Sequence, residues 1–352
     1  MAQNDAVKQD EIGGFQCLAA AAGIAEMGLP SFRPRPPWLG PDLQTMRNLL
    51  MPAPRLPSHF TGTELRFPLA DKGAGTLIGT LNTPIGGHTK PLVIVLHGLT
   101  GCQDSVHAVS TAHNLLNLGY SVLRLNFRGS GPSAGTSAGP YHAGLTQDLV
   151  DVVSGLPEDI SNNGVFLVGY SLGGNALLKF LAEGRALEAV LGAAAISAPI
   201  DLKRCQLRME EPRNRLYHRY LVRRMRRMAE AMSKDISWLT PARIEAINSI
   251  YDFDNRIVAR LHGFDNADHY YREASAGPRA SAIETPTLII HADDDPWIPA
   301  KVYESIPWAN GVPVYPVLTR GGGHVGFHGR ESDHTWHDRA VAAFLSWIAR
   351  KA

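Results

Sequence analysis

"GVFLVGYSLGGNALLKF", residues 164–180, is the stretch whose reading decides the fold. Four apolar residues, Val165 to Val168, run into Gly-Tyr-Ser-Leu-Gly-Gly, and a helical pattern begins at once. An unbroken apolar run bounded by glycine reads as a strand buried on both faces. A lone serine where such a strand hands over to a helix reads as a sharp turn that lifts the hydroxyl clear of the sheet. Gly169 and Gly173 stand where side chains would clash across that turn. Outside this context the spacing carries little, because glycine and serine are common in turns.

The same rhythm extends on both sides. "KPLVIVLHG" (90–98) and "YSVLRLNFRG" (120–129) read as strands, with a helix over 104–119 between them. A helix over 146–156 precedes the serine, and another follows it from Leu172. Further strands are predicted near the end of 187–200, at 285–295 and at 312–324, before a closing amphipathic helix at 336–351. Strands alternating with helices predict an α/β fold, a mostly parallel central sheet with helices on both faces. A hairpin is predicted from Thr63 to Pro84 with its turn near 71–75. Residues 1–60 are read as an arm wrapping the core; proline-rich 30–60 cannot be regular throughout. The core is then 61–202 and 285–352, and 203–284 is a helical cap insertion. Within it Tyr217, Leu221, Met225, Met228 and Met232 recur on one helical face, with seven arginines between 213 and 227. That helix is expected to pack its apolar stripe down. Weak contact of 213–232 with a lipid surface is the alternative.

A serine hydroxyl is a poor nucleophile without a base. His324, in "GGGHVGF" just past the last strand, is the expected base. Its orienting acid is expected among Asp293, Asp294 and Asp295, beyond the strand "PTLII". Asp295 is preferred because Pro296 biases it to an extended backbone. The serine–acid–histidine order suits this turn. Oxyanion donors are expected from the backbone N–H groups of Leu172, after the serine, and Leu99, after "HG" of the first core strand. His97 is read as holding that loop.

The formal charge of +1 gives no field that would draw the chain to nucleic acid. The glycine-rich 129–140 lacks a nucleotide-loop pattern, and His324, His328, His334 and His337 lack metal-ligand spacing. No metal and no organic cofactor are expected. Cys17, Cys102 and Cys205 form no disulfide framework. No run reaches a membrane span, and the apolar start at Leu18 follows acidic rather than basic residues. The cytoplasm is the expected compartment.

The ordered strings HGLTG, NFRGSG, GYSLGG, HADDDPWIP and GGHVGF resemble the α/β-hydrolase superfamily. "PDLQT" (41–45), "SAPIDL" (197–202) and "YDFDNRIVARLHGFDNADHYYREAS" (251–275) resemble its YheT-like branch, related to the α/β-hydrolase-domain lipid enzymes. The resemblance implies the α/β-hydrolase fold, a triad of Ser171, Asp295 and His324, and carboxylesterase or lipid-ester hydrolysis without cofactor. The expected substrate is a small ester with an apolar, short to medium acyl chain. Acyl transfer on the same triad is the alternative within chemistry, and a non-catalytic binding protein the alternative outside it. The arginine-rich 203–232 departs from the branch and puts a shared pocket in doubt.

Overall fold

The computed structural model describes residues 18–71, 75–306, 308 and 312–351. The first 17 residues of the expected arm, Cys17 among them, lie outside the described residues, as does the centre of the predicted turn at 72–74.

Eight strands form one sheet: β1 (Thr61–Pro68), β2 (Thr76–Thr83), β3 (Leu92–Leu96), β4 (Val122–Leu125), β5 (Val165–Tyr170), β6 (Val190–Ile196), β7 (Thr287–Ala292) and β8 (Val314–Thr319). Their spatial order is β1-β2-β4-β3-β5-β6-β7-β8. β1 pairs antiparallel with β2, and β2 with β4; every later pairing is parallel. This is the α/β-hydrolase fold.

Period-two alternation sends neighbouring residues to opposite faces. Leu92, Ile94 and Leu96 enter one core with the helices Thr146–Ser154 and Leu172–Ala182. Val93 and Val95 enter the other, with Val106–Asn117 and the closing helix Trp336–Ala349. Both faces being covered explains why these strands read as continuous apolar runs.

The chain goes from β3 outward to β4, then returns across β3 to β5. That reversal opens a crevice beyond the carboxyl ends of β3 and β5, where ligands bind in such sheets. The loop after β3 and the serine after β5 meet there. Between β6 and β7, residues 202–274 are largely helical and share a third apolar cluster. The predicted stripe is partly realised: Tyr217, Leu221, Met225 and Met232 are buried, Met228 half-buried. The sequence reading of 30–60 contains no helix, yet Gly40–Leu50 is one, with Pro41 in its first turn where a missing N–H costs nothing.

Candidate active site

Ser171 has φ 50° and ψ −120°, which only a constrained non-glycine residue adopts. The contacts show what constrains it. A Cβ on Gly173 would sit 2.4 Å from the His97 carbonyl oxygen, and one on Gly169 2.7 Å from that of Gly173. The helix therefore starts hard against β5 and β3, and the turn has no room to relax.

Ser171 Oγ lies 3.0 Å from His324 Nε2, and His324 Nδ1 lies 2.8 Å from Asp295 Oδ2. A carboxylate can only accept, so Nδ1–H donates to it and Nε2 is left to accept from the serine. Asp295 Oδ1 accepts the Trp297 and Ile298 N–H groups at 2.8 and 3.0 Å. Burial pushes this carboxyl up, but the electrostatic attraction of the His324 ring and its hydrogen bond outweigh it and hold Asp295 below the ordinary carboxylate value. The Trp297 ring stacks on His324 with centroids 4.3 Å apart.

The other two aspartates also serve this loop. Asp293 Oδ1 accepts from Gly321 N–H at 2.7 Å, and Asp294 Oδ1 from Gly323 N–H at 2.8 Å. Three adjacent carboxylates thus hold three points on the glycine-rich segment that carries His324.

On the β3 side, a Cβ at Gly98 would meet Ser171 Cβ at 3.0 Å, so the loop passes directly over the serine. The N–H groups of Leu99 and Leu172 meet no backbone acceptor among the described residues. His97 is buried, and burial lowers its imidazole to about 4. Neutral, it donates from Nδ1 to Gly98 O at 2.8 Å and accepts the Phe127 N–H at Nε2, 3.2 Å away. It braces the loop and does not touch the serine hydroxyl.

Ser171 and His324 stand between two cavities. One, of about 660 Å³ with its open mouth, is mainly apolar, walled by Pro199, Leu202, Met209, Leu221, Met225 and Ile250. Two polar groups interrupt it. Gln206 is buried with Oε1 unpartnered among the described residues, and Asp254 accepts from Tyr271 Oη at 2.7 Å. Burial lifts Asp254 to about 7. It opens a π-helical turn, Asp254–Val258. The second cavity, of about 1080 Å³, lies between the Gly98–Ser105 loop, the 40–50 helix and the 215–232 helix.

The serine aminopeptidase S33 family model, Hydrolase_4, matches residues 87–307. YheT of Escherichia coli (strain K12) is 36% identical over 312 residues, covering 86% of this chain and 89% of that one. The chain belongs to the α/β-hydrolase superfamily, in its YheT-like branch. Monoacylglycerol lipase of Saccharomyces cerevisiae is 28% identical over 269 residues, 73% of this chain and 59% of the yeast protein. A solved esterase of Pyrococcus furiosus, Pf2001, superposes with a TM-score of 0.52 at 18% identity, covering 84% of this chain and 97% of that one. That likeness supports the fold. This YheT-like chain thus belongs to a hydrolase family of the esterase and lipase type.

The sequence reading of this hydrolase gave "PDLQT" no task. The structure places it behind the histidine. Thr45 Oγ1 accepts the His324 N–H at 2.8 Å, and Asn48 Nδ2 donates to Val325 O at 2.8 Å. Gln44 accepts the His328 N–H at 2.7 Å and donates to His328 O at 3.1 Å. Asn175, on the helix after the serine, was also missed. It donates to Ala143 O and Ala274 O and accepts from Ala276 N–H, joining that helix to the end of the insertion. No spacing rule reveals such pairs.

Proposed function

We propose that this hydrolase cleaves carboxylic esters of short to medium acyl chains through an acyl-enzyme on Ser171. The reading is carried by the hydrogen-bonded series Ser171–His324–Asp295 on a strained turn. Ser171 Oγ attacks the ester carbonyl carbon while its proton passes to His324 Nε2. The carbonyl oxygen becomes an oxyanion between the N–H groups of Leu99 and Leu172, each such donor being worth about 3–4 kcal/mol. The carbon–oxygen bond to the alcohol breaks, and His324 hands its proton to the leaving alkoxide. Water then attacks the acyl carbon, giving a proton to His324, and Ser171 takes it back as the acid leaves. Asp295 stays ionised throughout and stabilises the imidazolium.

Residues 203–284 act as the cap. The apolar cavity under them takes the acyl chain, and its methionines can adapt to chain shape. The proposed compartment is the cytoplasm, in keeping with the free thiols of Cys102 and Cys205. No helix among the described residues is long and apolar enough to cross a membrane.

A p-nitrophenyl ester series from acetate to palmitate, with wild type and Ser171→Ala, tests the reading. The expected result is a peak at short to medium chains that disappears in the variant. Activity surviving in Ser171→Ala, or a peak at palmitate, overturns it. p-Nitroanilides run beside the esters test the peptidase chemistry named by the family description. Amides cleaved as fast as esters overturn the ester assignment.

A further inference from the structure

Six of the eleven exposed large apolar side chains among the described residues fall between residues 39 and 51. Leu39, Leu43, Met46 and Leu50 recur at spacings of four, three and four, one stripe along the 40–50 helix. The helix is inverted relative to a surface helix of ordinary pattern. Its inward side is polar, with Gln44, Thr45 and Asn48 spent on the histidine loop. Its outward side is apolar. Such a patch marks an interaction site.

The neighbouring 215–232 helix supplies the second observation. Arg215, Arg219, Arg223 and Arg227 are exposed at four-residue intervals, opposite its buried stripe. The other arginines between 213 and 227 are held: Arg213 by Asp42, Arg224 by Thr100 and Arg226 by Ile247 O. The four exposed ones meet no carboxylate among the described residues. Leu216, 78% exposed, stands on the same ridge.

The two helices approach at Asp42, which accepts from both Arg213 and Tyr217. The larger cavity leading to Ser171 opens between them, rimmed by Asn48 and Leu49 on one side and Tyr220 and Arg224 on the other. An apolar stripe and a basic row thus flank one mouth. We propose that this face docks the protein on an anionic lipid surface, the stripe entering the headgroup layer and the arginines lying over acidic headgroups. Four arginines repeating along one helix with no carboxylate partner among the described residues suit a diffuse field of anions. A second copy in twofold contact would set like charges against each other. Docking rests on these two helices alone. That ester substrate then enters from the lipid side rests also on the proposed function.

The test is flotation of the full chain with vesicles of equal parts phosphatidylglycerol and phosphatidylcholine, and with phosphatidylcholine alone. Binding is expected to the anionic vesicles only, and to fall as salt rises. Leu43→Ser with Leu50→Ser, and Arg219→Gln with Arg223→Gln, should each weaken it at least tenfold, since one arginine near such a surface is worth about fivefold. Hydrolysis of soluble p-nitrophenyl butyrate should be unchanged in both. Equal binding to neutral vesicles, no binding to anionic ones, or wild-type binding by both double variants overturns the proposal. So does a dimer in sedimentation velocity that either double variant dissociates. Flotation of Ser171→Ala separates the two readings: anionic binding by a protein whose wild type cleaves no ester leaves docking standing and removes the esterase.

Discussion

Thr45→Val probes how a helix distant in sequence sets the position of His324. The threonine hydroxyl accepts the His324 N–H and donates to Pro41 O, both at 2.8 Å. Valine keeps the shape and removes the hydroxyl. Thr45 and His324 are 4% and 5% exposed, so water does not readily replace it. An orphaned buried N–H costs about 1–3 kcal/mol. If the glycine loop holds its place, the cost lowers stability; if the loop shifts to relieve it, the cost appears as misalignment of His324 with Ser171. The loop is held by Asp293, Asp294, Gln44 and Asn48 as well, so the two should share it. About half in each, roughly 1 kcal/mol, gives a fall of about fivefold in kcat with KM nearly unchanged. Thr45→Ser keeps the hydroxyl and should restore both. The assays are p-nitrophenyl butyrate kinetics and urea unfolding. Wild-type kcat and stability in Thr45→Val, or equal damage in Thr45→Ser, would refute the reasoning.

Arg224 reaches Thr100 from the insertion, Nη2 to the carbonyl at 2.7 Å and Nε to the hydroxyl at 3.0 Å, and Thr100 has φ 57°. Arg224→Ala should free the loop that aims the Leu99 N–H and cut kcat about tenfold with KM kept, Arg224→Lys recovering little; unchanged kcat removes the positioning role. Asp254 stays protonated to about 7 in the folded chain against 3.8 when free, so stability is full below 3.8 and falls as pH rises towards 7. That interval corresponds to about 4 kcal/mol at most, and Asp254→Asn should flatten the urea stability profile between pH 4 and pH 8; an unchanged slope refutes it. Gly173→Ala drives a Cβ to 2.4 Å from the His97 carbonyl oxygen and should cost about 1–3 kcal/mol or more in urea unfolding, with wild-type stability as the contrary result.

The legible parts of this chain are those written in local backbone terms. β5 is buried on both sides, so its apolar run has no period to confuse. Gly169 and Gly173 are forced by contacts within a few residues of the serine or just across β3. Among the three aspartates, Asp295, the one before proline, reaches the imidazole, while Asp293 and Asp294 bind the backbone of the glycine-rich loop. Their local sequence could not say that all three serve one loop, because Gly321, Gly323 and His324 lie 28 or 29 residues away.

The 40–50 helix was illegible for a different reason. Periodicity finds a helix by the apolar side it buries, and this helix buries its polar side. Gln44, Thr45 and Asn48 exchange hydrogen bonds with partners 277 to 284 residues away, and no local pattern encodes that. The same inversion that hides the helix leaves its leucines facing outward. A stripe that the fold does not consume is free to be chosen by something else, and the row of arginines beside it says of what charge.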